Sequence, residues 1–526
     1  MFWEVHITLI KEEKMKNHFK AISKFVCLSL FAFLTFSGIA NSESHAGTPK
    51  YIFFFIGDGM ANVQIHAAEA YLAAIQGKDE VAGGQKAKLL AMSHFPVQGM
   101  STTFANNRFI TGSAAAGTAL ACGMKTNIGV IAMNPDATQS YTSIAELAKV
   151  KGMKVGIVSS VSIDHATPAV FYANQPSRGN YHEIAMELAN SNFDYFGGGG
   201  FKKDETGAGN AIETAKANGF TYVTTREELA AVQPGTRTLA TNHMLMGGSA
   251  LTYELDRPDD HLSLAEFTSE GVRLLNNSDG FFMMVEGGKI DWACHANDAR
   301  AAIEDTIAFN NAIRAAMDFY MLHPEETLIV VTGDHECGGQ TIGFAGTAYD
   351  TFFEVLAKQQ YSYEVFDEYY LAPYKDNHDP APADMDADMW LMIFDIFGLD
   401  GASYTVDVDD DLTDYQKEKL EAAFDKTMTG DSLNPAEEDS LLYGYYEPLT
   451  VTLTHILNQR AGIAWTSYSH TGVPVPVLAL GNSQALFNGF YDNTDVAKKI
   501  SEAMGMNLIN VENAKPVVDT ESGDKI

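Results

Sequence analysis

Apolar residues in this chain gather in short unbroken runs: YIFFFIG (Tyr51–Gly57), VGIVSSV (Val155–Val161), FFMMVEG (Phe281–Gly287), TLIVVTG (Thr327–Gly333) and VPVLALG (Val475–Gly481). A strand with one wet face alternates, whereas a continuous run marks a strand buried on both faces. Between the runs lie amphipathic stretches such as Ala299–Met317, spaced like a helix packed on one side. The pattern predicts an α/β fold, a doubly wound and mostly parallel sheet sandwiched by helices. Such sheets bind ligands beyond the carboxyl ends of their strands. Asp58, Asp164 with His165, Glu286, and Asp334 with His335 each fall at or just past the end of a run.

From Gly339 to about Thr454 the texture changes. Aromatic and acidic residues crowd together, as in YSYEVFDEYY and DNHDPAPADMDADMW, and strand signals fade. Residues 340–454 are expected to form a large inserted subdomain or lid within a catalytic domain of residues 47–515. Asp407, Asp409, Asp411 and Glu418 occupy ligand positions of a calcium loop, but Leu412 stands where that loop needs glycine. A capping box of Thr413 with Gln416, opening a helix over Asp414–Asp425, accounts for the same residues better.

The amino end reads as an address. Lys16, Lys20 and Lys24 precede the apolar run Phe25–Ala40, which closes on Gly38 and Ala40, the layout of a secretory signal. The run is shorter than the ~20 residues of a membrane span, so no anchor is expected. Cleavage after Ala40 or Ala46 would make residues 1–46 a leader and the mature protein periplasmic or secreted. Cys27 leaves with the leader. Cys122, Cys294 and Cys337 remain, allowing at most one disulfide and requiring none.

Composition sharpens the chemistry. With 46% hydrophobic residues among 526, the chain can bury a substantial core. Its 68 acids against 35 bases give a net charge of -33, which excludes a nucleic-acid-coating role. Four acids near strand ends, Asp58, Glu286, Asp291 and Asp334, would repel one another unless cations lay among them. Asp291 and His295 sit four residues apart and share a helix face, so both can reach one ion. Asp334 and His335, at a strand-to-loop corner, can do the same. In TGSAAAGTA (Thr111–Ala119), small residues follow Ser113 as in a tightly packed helix beginning there. A helix start favours negative charge, which suits either a nucleophilic serine or a plain N-cap.

The strings IGDGM, T-x-SAA, HATPA followed by Arg178, VEGGKIDWACH, VTGDHE and SHTG occur in this order. Together they resemble the alkaline phosphatase family over nearly the whole exported chain outside the insert. The Trp beside Asp291 and the large insert before SHTG most resemble the marine bacterial branch. The resemblance implies hydrolysis of small-molecule phosphate monoesters through a phosphoserine, with two zinc ions and one magnesium ion. Asp291, His295 and His470 would hold the first zinc. Asp334, His335 and Asp58 would hold the second, next to Ser113. Asp58, Thr167 and Glu286 would hold the magnesium, with His165 nearby through water or directly. Arg178 would clamp two phosphate oxygens, and Trp292 would lie close to the phosphate. The family usually has an acid before the nucleophile where this chain has Gly112, which implies a freer Arg178, looser phosphate binding and faster product release. A phosphodiesterase of the same superfamily and a secreted metal-dependent phosphate-binding protein without turnover are the rival readings. Monomer and homodimer both stay open.

Overall fold

The computed structural model describes residues 47–76, 88–202, 210–378, 384–401, 411–429 and 437–509. The leader, Asp407, Asp409 and the tail past Val511 lie outside these. Ten strands form one sheet: β1 (Tyr51–Gly57), β2 (Val97–Ser101), β3 (Lys154–Ser159), β4 (Tyr195–Gly198), β5 (Thr221–Val223), β6 (Thr238–Thr241), β7 (Phe281–Gly287), β8 (Thr327–Gly333), β9 (Val475–Gly481) and β10 (Phe490–Tyr491). Their spatial order is β10-β2-β9-β8-β1-β7-β3-β4-β6-β5. β1 runs parallel to both neighbours, β7 and β8, and the parallel pairing continues through β3, β4, β6 and β5. β9 is the exception, antiparallel to β8 and to β2. Its apolar run reads like the others because burial on both faces, not strand direction, sets that pattern.

The two faces explain the continuous runs. Tyr51, Phe53 and Phe55 of β1 pack into one apolar cluster with Phe281, Met283 and Val285 of β7 and Ile329 and Val331 of β8. Ile52, Phe54 and Ile56 pack into a second cluster on the opposite face, with Phe282, Met284, Leu328 and Val330. Full burial of one such side chain contributes roughly 1.5–3 kcal/mol, so the central strands anchor the fold. On the first face lies the long helix Ala299–Leu322, which presents Ile303, Phe309 and Ile313. On the second lie Ser113–Cys122 and Thr494–Ala503, among others.

The central strands end in register on glycine: Gly57 pairs with Gly287 on one side and Gly333 on the other. A Cβ on Gly333 would lie 2.0 Å from the Met60 carbonyl oxygen, and one on Gly57 2.7 Å from the Met60 side chain. The chain leaving β1 folds back over this row so closely that side chains are excluded there.

Between β8 and β9 the described residues are mostly helical, including Ala387–Phe397, Asp414–Thr429, Glu437–Tyr443 and Pro448–Ala461. A two-residue ribbon, Thr341–Ile342 against Ile463–Ala464, brings the two ends of this stretch together. Its apolar residues Phe366, Ile393, Phe397 and Leu453 join the first cluster of the sheet. The capping box is present: the Thr413 N–H donates to Gln416 Oε1 at 3.1 Å, and the Gln416 N–H to Thr413 Oγ1 at 3.3 Å. Cys122, Cys294 and Cys337 are buried and unbridged. Among the described residues, no helix is long and apolar enough to cross a membrane.

Candidate active site

The strand ends converge as the parallel register requires. Glu286 is the penultimate residue of β7, Asp58 follows β1, and Asp334 and His335 follow β8. Past β7 the chain turns through Gly288 into the short helix Lys289–His295, whose single face carries both Asp291 and His295. His470 arrives from a two-residue bridge in which it pairs with Cys337.

Among the described residues, three clusters of candidate ligand atoms result, each with all its atoms within 4.8 Å of one another. In the first, His295 Nε2 lies 3.3 Å from Asp291 Oδ2 and 3.1 Å from His470 Nε2, and His470 Nε2 lies 3.5 Å from Asp291 Oδ1. Each ring is oriented from behind: His295 Nδ1 donates to the Tyr468 carbonyl at 2.6 Å, and His470 Nδ1 to the Thr111 carbonyl at 2.8 Å. A carbonyl can only accept, so both protons sit on Nδ1. Each Nε2 is thereby the atom turned toward its neighbour beside a carboxylate, the usual arrangement of a metal-binding histidine with its outer partner. Burial opposes charge on His295, yet Asp291 pulls its pKa up to about 9; the cluster calls for a positive charge.

In the second cluster, His335 Nε2 lies 3.4 Å from Asp58 Oδ1 and 3.2 Å from Asp334 Oδ2. The Ser113 hydroxyl reaches the same nitrogen at 3.5 Å. Ser113 is the first residue of the helix Ser113–Cys122, and the N-cap is Gly112. The serine is thus not the cap, and its hydroxyl faces the cluster at the positive end of the helix. The third cluster joins Asp58, His165 and Glu286. Thr167 Oγ1 donates to Asp58 Oδ2 at 3.4 Å, and the Ser159 hydroxyl makes a short bond to Glu286. An Arg178 amino group lies 2.9 Å from His165 Nε2, and the Trp292 ring stands edge-on to that imidazole at 5.7 Å. All twelve residues singled out from the sequence thus belong to these clusters or touch a member of them.

The fit to cations can be judged from the carboxylates. Asp58 and Glu286 are fully buried and Asp334 is 1% exposed. Asp58 Oδ1, Glu286 Oε1, Asp291 Oδ1 and Asp334 Oδ2 have no well-formed hydrogen bond. Burial, then the neighbouring carboxylates, hold Asp58 and Asp334 well above the ordinary carboxylate range, and burial lifts Glu286 to about 7. Unpaired buried charge of this density is untenable without counterions. Each donor set mixes imidazole with carboxylate, which suits a divalent ion such as zinc, and the third has the Thr167 hydroxyl beside it as a further oxygen, which suits magnesium.

Other neighbours were not marked by the sequence. Cys337, read only as a disulfide candidate, places its sulfur in the first cluster. Burial, then Asp291, push its thiol well up, so it sits beside the site protonated. Lys289 is fully buried and ion-paired with Glu364 at 2.8 Å, its ammonium 3.6 Å from the Tyr253 ring centroid and 5.0 Å from that of Trp292. A helical residue between β8 and β9 is thereby tied to the turn that carries Asp291. The spacing Glu286–Lys289–Asp291 hints at this lysine, but nothing local identifies Glu364.

The alkaline phosphatase family profile matches residues 49–506. Alkaline phosphatase 3 of Bacillus subtilis is 30% identical over 513 residues, covering 94% of this chain and 99% of its own. The crystal structure of a cold-active alkaline phosphatase from a psychrophilic Shewanella sp. shares 27% identity with a TM-score of 0.69, over 86% of this chain and 99% of that one. Alkaline phosphatase from the Antarctic bacterium TAB5, at 24% identity and a TM-score of 0.57 over 88% of this chain and all of that one, shares the fold. With the family profile spanning nearly the whole described sheet and its strand-end clusters, the chain belongs to the alkaline phosphatase family of phosphate-monoester hydrolases.

Proposed function

We propose that the chain cleaves phosphate monoesters in two steps through a phosphoserine on Ser113. The observation that supports this most is the Ser113 hydroxyl 3.5 Å from His335 Nε2, at a helix start and among buried carboxylates that lack partners. Asp291, His295 and His470 would hold one zinc, Asp58, Asp334 and His335 a second, and Asp58, Glu286, Thr167 and His165 the magnesium. When bound, the ions lower the pKa of the attacking oxygen and offset charge on the leaving one. Ser113 Oγ gives up its proton and bonds to phosphorus while the bond to the alcohol oxygen breaks, the alcohol leaving with that electron pair and gaining a proton. Water then cleaves the phosphoserine, freeing inorganic phosphate and returning a proton to the serine. The planar fork of Arg178 donates to two phosphate oxygens, and His165, with Trp292 edge-on against it, sets the position of that fork. Rate enhancement of this kind rests on positioning and electrostatics.

Secretion follows from the same reading of the leader, and the substrate is a small soluble ester. Paired rates on an aryl phosphate monoester and the matching diester test the assignment. The monoester should be favoured in kcat/KM by at least about a hundredfold, as expected when transition-state contacts discriminate; equal rates would turn the reading toward a phosphodiesterase, and binding without release toward simple capture.

Gly112 offers a finer test. Its backbone is ordinary, with φ -124, and a Cβ there would meet only Ile128 at 3.9 Å. Gly112→Asp should therefore fold normally and give Arg178 a carboxylate partner. Inhibition by inorganic phosphate should tighten by about three- to tenfold, the range of one charge-assisted contact, with a lower kcat. An unchanged phosphate inhibition constant counts against a loosened arginine in the natural chain.

A further inference from the structure

On the far side of His295 the protein opens into a cavity of about 760 Å³, within the size range of small-molecule sites. Most of its lining comes from two segments, with Leu441, Tyr445 and Tyr446 in and after the helix Glu437–Tyr443 and Trp465 and Tyr468 in the loop leading to His470, and His455 of the helix Pro448–Ala461 adds a further ring. His295 belongs to the same wall, so an imidazole of the Asp291 and His470 cluster also lines the cavity.

Three observations indicate what enters. First, direction. The His295 and His470 side chains are 27% and 14% exposed, whereas Asp58 and His335 beside Ser113 are at 0%. An attack by Ser113 from this buried side would send the departing alcohol toward the more open first cluster and the cavity beside it. Second, charge. None of the described lining residues is an acid, a lysine or an arginine, in a chain with 68 acids. Third, shape. The rings of His455 and Tyr468 lie 5.9 Å apart at 29° and those of Tyr468 and Tyr446 6.3 Å apart at 32°, a run of similarly tilted faces. At the rim, Leu441 and Tyr445 are 74% and 92% exposed, and the buried Trp465 indole nitrogen has no partner. A slot walled by aromatic faces, with no acid, lysine or arginine among its described lining residues, suits a flat aromatic ring.

We propose that this cavity is the leaving-group site and that it selects monoesters of alcohols bearing an aromatic ring. The proposal rests on the monoesterase reading above and deepens it, since a serine site that grips only phosphate would leave the alcohol unspecified. The test compares 2-phenylethyl phosphate with ethyl phosphate, whose alcohols are of similar acidity, so the bond-breaking step is matched. In the natural protein kcat/KM should favour the aromatic ester by about tenfold or more, the scale of one ring seated among aromatic faces. In the double variant Leu441→Ala and Tyr445→Ala that preference should fall at least about threefold. Both side chains project into solvent, so their truncation leaves the core intact. Hydrolysis of both esters with no preference, or with a preference that survives the double variant, overturns the leaving-group site while the phosphatase assignment stands. If neither ester is hydrolysed, the monoesterase reading falls and the leaving-group site with it.

Discussion

Ser113→Ala lowers kcat/KM for an aryl monoester by at least about 10⁴-fold, the scale of deleting a covalent nucleophile, and abolishes acid-stable labelling of the protein by ³²P-substrate. The geometry makes the substitution clean. Ser113 is 2% exposed, opens the helix Ser113–Cys122, and is followed by Ala114, Ala115 and Ala116. Alanine is the best helix former, and the N-cap is Gly112 rather than the serine. The melting temperature should therefore move by no more than about 1–2 °C, which separates lost chemistry from lost fold. The proposed metal-binding residues and Arg178 remain, so a weak hydrolysis by water directly at the bound ester is expected to persist. Normal phosphoenzyme labelling in the alanine variant would remove Ser113 from the reaction.

Exhaustive chelation should abolish activity and also destabilise the fold, and both should return with zinc and magnesium. An ion that binds only the folded state at a thousand times its dissociation constant stabilises by about 4 kcal/mol, and three clusters are involved. The pH dependence of the stripped protein carries a sign of its own. In the folded state Asp58 and Asp334 are held above the ordinary range, by burial and then by neighbouring carboxylates, and Glu286 is lifted to about 7. The folded stripped protein therefore keeps protons that the unfolded chain releases near the ordinary carboxylate pKa of ~4. The stability these three carboxylates contribute consequently falls as pH rises from that value through about 7, against the opposite slope of His165, His335 and His470, which burial holds low, so Glu286→Gln should make a scan of melting temperature decline less over that range. With metal bound the sense reverses, because ions and protons compete for the same oxygens. Full activity after complete metal removal would sink the metal assignment.

The elements read most easily from the sequence are those buried on both faces. β1, β7, β8 and β9 have the limits expected of them, and β3 begins one residue early, at Lys154, and stops at Ser159. The others escaped for physical reasons. β2 alternates buried with open positions and lies toward one edge of the sheet, and β5 is an edge strand of three residues. β4 is YFGG, with two glycines and no β-branched residue. The candidate ligand residues were conspicuous because strand ends concentrate them. Cys337, the carbonyl oxygens of Tyr468 and Thr111, and the Lys289–Glu364 pair were not, since each acts across a long sequence gap and two of them act through backbone that carries no residue code. The cavity beyond His295 needs Leu441 and Trp465 in one place, which no local pattern announces.

The glycine row at the ends of β1, β7 and β8 has a consequence for how the protein matures. Register fixes Gly57 opposite both Gly287 and Gly333, so Asp58, Glu286 and Asp334 hold their mutual positions only while β1 is paired with two strands that lie far from it in sequence, Phe281–Gly287 and Thr327–Gly333. Contacts of such long sequence separation form slowly and late. A slip of one residue along either ladder would turn the carboxylates to the wrong face of the sheet, and no partial assembly offers a full set of ligands. Metal capture at these carboxylates would thus be a checkpoint on folding: an ion would be tightly held only after the central ladder had closed in the right register, and a chain that closed it wrongly would stay empty and easily unfolded.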